Sequence, residues 1–284
     1  MTETLRRTAP AALRCEGLVH VYREADTDVA ALRGIDLVVE EGQRIALLGP
    51  SGSGKSTLMA IVAGILRPSA GRVVVFGTDI GRAKERELAH VRRSTLGLML
   101  QGASTNLLLH EDSDANLAWA LRGAERGDVR LGRRVLRSSD LHRDRRPVSA
   151  MSPSEQQIVA LAVAMAGRPR LLVADEPTSQ LDDASRDHLL DVLVETASAE
   201  GTATLIVTHD EQVAARMQRM IHLRDGRIGE EASDRGRFAV VGADGSVQLP
   251  AELRDRWPAG SFVSVAETAP GELVLNLQRD EVTP

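Results

Sequence analysis

Gly49-Pro50-Ser51-Gly52-Ser53-Gly54-Lys55-Ser56 fits the pattern Gly-x-x-x-x-Gly-Lys-Ser/Thr without a mismatch. Its flanks suit it. Arg44–Leu48 is a short apolar run of buried-strand type, and the residues from Ser56 and Thr57 to Ala63 read as a helix. A strand feeding a glycine-rich turn into a helix N-terminus aims backbone N–H groups, and the positive end of the helix dipole, at one small volume. That volume suits a polyphosphate. Lys55 would reach the β- and γ-phosphates, and the hydroxyl of Ser56 would ligate Mg²⁺. A chance glycine–serine turn would not arrive in this frame, so the chain reads as one that binds a nucleoside triphosphate.

The 284 residues allow one large domain, or a main domain with a small companion. At 43% hydrophobic and 26% charged, the composition is that of ordinary globular material. A net charge of −5 gives no general reason to expect a nucleic-acid partner. Cys15 is the single cysteine, which excludes an intrachain disulfide and suits a reducing compartment. The N-terminus lacks the basic-then-apolar layout of a signal peptide, and no uncharged apolar run reaches the length of a membrane span. Lys55 and Lys84 are the only lysines. A lysine at the loop, in a chain that otherwise uses arginine, favours a functional reason for it.

Taken in order, Leu13–Val21 has the spacing of a first strand ending at Tyr22, and Asp26-Thr27-Asp28 reads as a turn into a strand over Ala31–Val39. Pro68–Gly71 reads as a turn and Arg72–Phe76 as another strand. Leu96–Leu100 is a further strand that delivers Gln101. Residues 107–146 are helical in character and dense in arginine, with the interspersed acids of a solvated face.

Leu171-Leu172-Val173-Ala174-Asp175-Glu176 is a buried-type strand that ends in two carboxylates. Ligands of parallel sheets gather at the C-terminal ends of strands, so Asp175 suits Mg²⁺ and Glu176 suits polarising an attacking water. Leu205–Thr208 is another such strand, and it ends at His209, a donor for a γ-phosphate. Tyr22, the sole tyrosine, is an aromatic that a base can stack on.

The order of these motifs resembles the ATP-binding subunits of ABC transporters over roughly residues 13–230. The resemblance implies a phosphate-loop α/β fold with an antiparallel flank and a helical subdomain near residues 102–168. It implies ATP and Mg²⁺ as ligands, a sandwich of two subunits around two ATP molecules, and a separate integral membrane permease that hydrolysis drives. Homodimer and heterodimer both remain open. Tyr22 would stack on adenine and Gln101 would touch Mg²⁺. Glu176 would be the base, Asp182, in Ser179-Gln180-Leu181-Asp182, would cross the dimer interface, and His209 would be the switch histidine. Val29–Gly34 and Asn106-Leu107-Leu108 resemble the lipoprotein-release and macrolide-export branch. Such a subunit would lie in the cytoplasm against the inner face of the membrane. The competing reading is an ATPase of the same type that acts as a switch without a permease.

One motif departs from the family. The signature Leu-Ser-Gly-Gly-Glu-Gln-Gln stands here as Met151-Ser152-Pro153-Ser154-Glu155-Gln156-Gln157. In the family this segment, through its serine and backbone N–H groups, caps the γ-phosphate held by the other subunit. Ser152-x-x-Glu155 is still a capping box, with Pro153 at the first helical position. Proline nevertheless removes one N–H, and Ser154 adds a side chain where glycine lets a phosphate approach. Two family arginines downstream are Ile158 and Val163 here. Either hydrolysis is slow, or a partner with an intact signature completes the site.

Asp225–Ile228 closes the ATPase-like region, and Ala232-Ser233-Asp234 reads as a linker to a β-rich tail over 236–280. Strands are expected at Phe238–Val241, Val247–Leu249, Phe262–Val265 and Leu273–Leu277, with a short helix at Pro250–Trp257. Gly245–Arg254 resembles the swapped-hairpin domain of AbrB-like regulators, which dimerises and often binds DNA. From Arg235 onward five arginines face seven acids. DNA binding needs a net supply of cations, so dimerisation without nucleic acid is the expectation.

Overall fold

The computed structural model describes residues 11–24, 27–122, 129–234, 236–241, 245–247, 249, 256–257, 263–270 and 272–277. The chain opens with a hairpin of two long strands, β1 (Ala11–Glu24) and β2 (Thr27–Glu40). Thr27 and Asp28 are paired within it, opposite Glu24 and Arg23, so these two residues of the expected turn at 26–28 are strand, and Asp26 lies outside the described residues. β3 (Arg44–Leu48) leads into the glycine-rich loop and α1 (Lys55–Val62). β4 (Ala70–Val75) and β5 (Thr78–Asp79) follow, then α2 (Glu85–Ser94) and β6 (Leu96–Met99).

Four helices come next: α3 (Ala103–Asn106), α4 (Ser113–Ala120), α5 (Arg130–Arg137) and α6 (Pro153–Ala166). The helical character read over 107–146 is thus confined to α4, α5 and a short 3-10 turn at Leu141–Arg143. Residues 107–112 are not helical, and 123–128 fall outside the described residues. β7 (Leu171–Asp175), α7 (Asp183–Glu200), β8 (Ala203–Val207), α8 (Glu211–Ala215), β9 (Arg219–Arg224) and β10 (Arg227–Ser233) complete the alternation.

The central sheet runs β11-β10-β9-β3-β8-β7-β6, with β11 at Gly236–Ala239. Its five strands from β9 to β6 are parallel, which brings their C-terminal ends, and the loops that follow, to one edge. A second, antiparallel sheet has the order β2-β1-β4-β5. Strand alternation divides the core in two. Ile45, Leu47, Leu171 and Val173 pack on the side of the antiparallel sheet and α1. Ala46, Leu48, Leu172 and Ala174 pack on the other side, with α6, α7 and the helices of the 102–168 segment. Both faces of the parallel strands are therefore buried, as their continuous apolar runs require.

The tail differs from its sequence reading at its start. Ala232 and Ser233 belong to β10, and β11 pairs back onto it, so the expected linker is a strand and a tight turn at Asp234. β11 continues the central sheet. Val247 forms one isolated bridge with Val241 rather than a strand with Leu249. Of the expected helix, residues 250–255 lie outside the described residues, while Arg256 and Trp257 are not helical. β12 (Val263–Ala269) and β13 (Glu272–Leu277) pair as an antiparallel hairpin, close to the expected spans.

Candidate nucleotide site

Four of the parallel strands deliver the site's residues. β3 ends at the loop Gly49–Gly54, which passes into α1 at Lys55. Two glycines have no substitute there. A Cβ on Gly49 would stand 2.1 Å from the Leu223 carbonyl oxygen and 2.7 Å from Ser53 Oγ. A Cβ on Gly54, which has φ +102°, would meet the Ala31 carbonyl oxygen at 2.4 Å. Backbone approach, rather than flexibility, is what these glycines provide.

The loop's polar groups have the character of an anion cradle. Lys55 Nζ donates to the carbonyls of Gly49 (2.6 Å) and Pro50 (2.9 Å), which holds its charge over the loop. Ser53 Oγ is buried with no protein partner, an arrangement that costs free energy unless a further group meets it. Ser51, Gly52 and Ser56 are exposed at the loop's open side, and Thr57 is buried behind them. Tyr22 Oη lies 3.2 Å from Thr57 Oγ1, and the Tyr22 side chain remains 42% exposed. This places the aromatic beside the loop helix with a face available for stacking. The donor set and the close-approach glycines fit a triphosphate.

β7 ends at Asp175, 8% exposed, whose carboxyl is pushed above the usual range by burial and by the charge of Glu176, with Lys55 opposing. A buried acid facing both a lysine and a second carboxylate fits a divalent cation held with phosphate oxygens. Glu176 takes the left-handed conformation, φ +47°, and its N–H donates to Val207 O at 2.8 Å. Such backbone costs about 1–3 kcal/mol in a residue other than glycine, and the surrounding structure imposes it. It turns the chain sharply at the end of the strand and fixes where the carboxylate sits.

Glu176 Oε1 lies 2.8 Å from His209 Nδ1, so β8's terminal histidine is held by β7's terminal glutamate. With Nδ1–H given to the carboxylate, His209 can donate from Nε2 only as imidazolium. Thr208, fully buried, places its Oγ1 3.5 Å from Glu176 Oε2 and accepts the Asp210 N–H at 3.1 Å.

Gln101 follows β6 and is exposed. Its turn is fixed by Asn106, which accepts from Leu100 N (2.8 Å) and donates to the carbonyls of Leu100 (2.7 Å) and Gly102 (2.9 Å). Asp182 is the N-cap of α7, accepting the Ser185 N–H at 2.8 Å, and that backbone bond holds its carboxyl below the usual range. One turn on, Arg186 is within 2.9 Å of Asp183 and 3.7 Å of Asp210, spanning from α7 to the loop that carries His209. Asn106, Thr208 and Arg186 were missed as site residues. Asn106 was visible only as a branch marker, and Arg186 read as one more arginine on a charged helix.

Ser152 and Ser154 stand apart. Ser152 is the N-cap of α6, with the full capping box: its Oγ accepts from Glu155 N (3.3 Å), and Glu155 Oε2 accepts from Ser152 N (2.6 Å). Pro153 occupies the first turn, as the sequence predicted. Among the described residues no hydrogen bond joins Ser152 or Ser154 to the loop of the same chain. Ile158 is 3% exposed within the core of the helical segment and Val163 packs against that core, so the two positions where the family resemblance implies arginine carry packed apolar side chains.

The family model described as ABC transporter matches residues 32–179. The chain belongs to the ABC transporter family. It is 40% identical over 228 residues to the lipoprotein-releasing system ATP-binding protein LolD of Ruegeria sp. (strain TM1040), covering 77% of this chain and 97% of that one. Identity to LolD 1 of Caulobacter vibrioides is 36% over 234 residues, 80% of this chain and 98% of that one. Among solved structures, a dimeric ATP-binding cassette in a post-hydrolysis state bound to ADP and Pi superposes with a TM-score of 0.70 at 29% identity, covering 79% of this chain and 99% of that chain. The chain is accordingly an ATP-binding subunit of an ABC transporter: it binds ATP with Mg²⁺, hydrolyses it, pairs with a second such subunit, and drives a separate membrane permease. No described helix is long and apolar enough to cross a membrane.

Proposed function

We propose that Glu176 is the general base, with His209, Lys55 and Asp175 placing and neutralising the reacting phosphates. The observation that supports this most is the 2.8 Å contact between Glu176 Oε1 and His209 Nδ1 at the edge where β7 and β8 end beside the loop. Gly49, Pro50, Ser51, Gly52, Ser53 and Gly54 form the cradle, Lys55 meets the β- and γ-phosphates, and Thr57 backs the loop. Tyr22 stacks on the base. Ser56, Asp175 and Gln101 would hold Mg²⁺, which when bound would neutralise phosphate charge. Glu176 accepts a proton from the attacking water, and the loop's N–H groups and Lys55 stabilise the charge that develops on the phosphoryl oxygens. Ser152, Ser154 and Asp182 act on the nucleotide held by the other subunit. Glu176→Gln tests the base: ATP should still bind while phosphate release stops.

The relatives' role in lipoprotein release suggests a lipid-modified protein as the substrate of the complex that this subunit serves, with the subunit on the cytoplasmic side. ATPase of the subunit with its permease in lipid should then rise with an acylated protein and not with its unacylated form.

The chain further divides into an ATPase unit, expected over 13–230, and a small AbrB-like unit, expected over 236–280, that dimerises; β11 (Gly236–Ala239) pairs with β10 and so falls on the ATPase side of that division. Support comes from β12–β13, where Val265 (63% exposed), Leu273 (66%) and Leu275 (39%) leave apolar surface uncovered on a hairpin too small to be stable alone. Since β11 belongs to the ATPase sheet, the deletion that tests it removes 242–284, and monomers by light scattering without ATP are expected.

A further inference from the structure

The altered signature segment looks, from its sequence, like a loss: one N–H fewer at Pro153 and one side chain more at Ser154. The geometry points to a replacement instead. We propose that the Ser154 hydroxyl is the donor that takes the place of the missing N–H, oriented by Ser152. This rests on the reading that the segment closes on the γ-phosphate of the other subunit.

The argument follows the hydrogen-bond polarity. A hydroxyl has one proton to give and two lone pairs to receive. Ser152 Oγ already accepts the Glu155 N–H at 3.3 Å, so its proton is left to give, and Ser154 Oγ lies 3.1 Å away. Ser152 Oγ keeps a second lone pair, so either hydroxyl can donate across this contact. In the proposed closed state Ser152 donates to Ser154, which leaves the Ser154 proton for the phosphate, at the end of a relay that begins at a backbone N–H of α6. Each bond in such a chain polarises the next, and this one ends on a proton at the positive end of a 14-residue helix. In the proposed closed state that end meets the γ-phosphate held by the other subunit.

Arg146 fixes the frame around the relay. Its guanidinium donates to Asp144 (2.6 Å), to the Ala150 carbonyl (3.2 Å) and to Glu155 Oε1 (3.0 Å). The other oxygen of Glu155 holds Ser152 N at 2.6 Å. One side chain thus ties the approach loop, the N-cap and the capping glutamate together. The Ser152 N–H first, then the bonds to the Ser152 and Arg146 side chains, hold the Glu155 carboxyl below its usual range and so charged, against the opposing effect of burial.

The test separates a donor from an intruder by the sign of one substitution. In full-length Glu176→Gln, which should retain ATP, the release rates of labelled ATP and labelled ADP are measured with Mg²⁺. ATP, closed over by the neighbouring segment, should leave more slowly than ADP. Ser154→Gly should speed ATP release about tenfold, the loss of a charge-assisted hydrogen bond, and leave ADP release unchanged. Ser154→Thr keeps the hydroxyl and should behave as the parent. Pro153→Gly with Ser154→Gly, which restores the N–H, should return ATP release to the parent rate. Unchanged or slower ATP release in Ser154→Gly would overturn the proposal alone. A parent that releases ATP and ADP alike would overturn both the proposal and the closure it rests on.

Discussion

The loop and the signature segment are the two halves of one kind of site, and this chain treats them differently. At the loop, every position that backbone sterics constrain is kept, down to the two glycines whose Cβ would strike a carbonyl oxygen. At the segment that resembles the family signature, Pro153 and Ser154 stand where the family's pattern has glycines, yet the helix start is intact through a capping box, a proline at the first turn and an arginine clamp. The difference teaches that a cradle made by close backbone approach tolerates no side chain. A donor presented at a helix end can be supplied by more than one atom.

The widest separation between the halves should come from Glu176→Gln. Phosphate release should fall by about 10²–10⁴ in steady-state assays, while equilibrium ATP binding at the loop is kept. Residual turnover near the parent's would remove Glu176 from the mechanism. On the signature side, Ser152→Ala removes both the cap, about 1 kcal/mol of helix stability, and the relay's first hydroxyl. Hydrolysis should fall about tenfold with ADP affinity unchanged, because ADP has no γ-phosphate for the segment to meet. Equal losses of ADP and ATP binding would show that the damage had spread to the loop.

A smaller effect is expected where the halves communicate. Arg186 links the first turn of α7 to Asp210, whose N–H is held by Thr208 next to Glu176. Arg186→Met should lower kcat several-fold with little change in KM, and Arg186→Lys should recover part of it. A rise in KM alone would mean that Arg186 acts on binding.

The smallest is a stability effect at Asp175. Its folded-state pKa lies above the unfolded one, so the stability it lends is present at acid pH and lost as pH rises through the folded value. Without Mg²⁺, Asp175→Asn should therefore melt a few degrees higher than the parent at neutral pH, with the gap closing in acid. Parent and variant melting alike at neutral pH would contradict the assigned burial cost. The same variant should lose the tightening of ATP binding by Mg²⁺.

Most of the fold was legible because it rests on local signals. The continuous apolar runs at Arg44–Leu48, Leu171–Glu176 and Leu205–Thr208 read as buried strands, and strands lie at Arg44–Leu48, Leu171–Asp175 and Ala203–Val207. The capping box at Ser152 and Glu155 was visible in four residues. What escaped was carried by contacts distant in sequence. Nothing local shows that Ala232 and Ser233 extend an edge strand, because Gly236–Ala239 turning back to pair with them is a tertiary event. The contact of Glu176 with His209 spans 33 residues, and that of Arg186 with Asp210 joins a helix to a loop from another strand. Motif order placed Glu176 and His209 at the same edge; only the folded backbone, with Glu176 at positive φ, sets them in contact.

The central claim is that each working site takes its loop from one subunit and its signature segment from the other. It is tested most directly by complementation. Lys55→Ala disables a loop and leaves its segment whole, while Ser152→Glu sets a like charge against the γ-phosphate and leaves its loop whole. Each homodimer should be inactive. A mixed dimer, co-expressed and isolated through two different tags, has one composite site intact and should hydrolyse ATP at about half the parent's rate per dimer. A mixed dimer no more active than either variant alone would contradict the account.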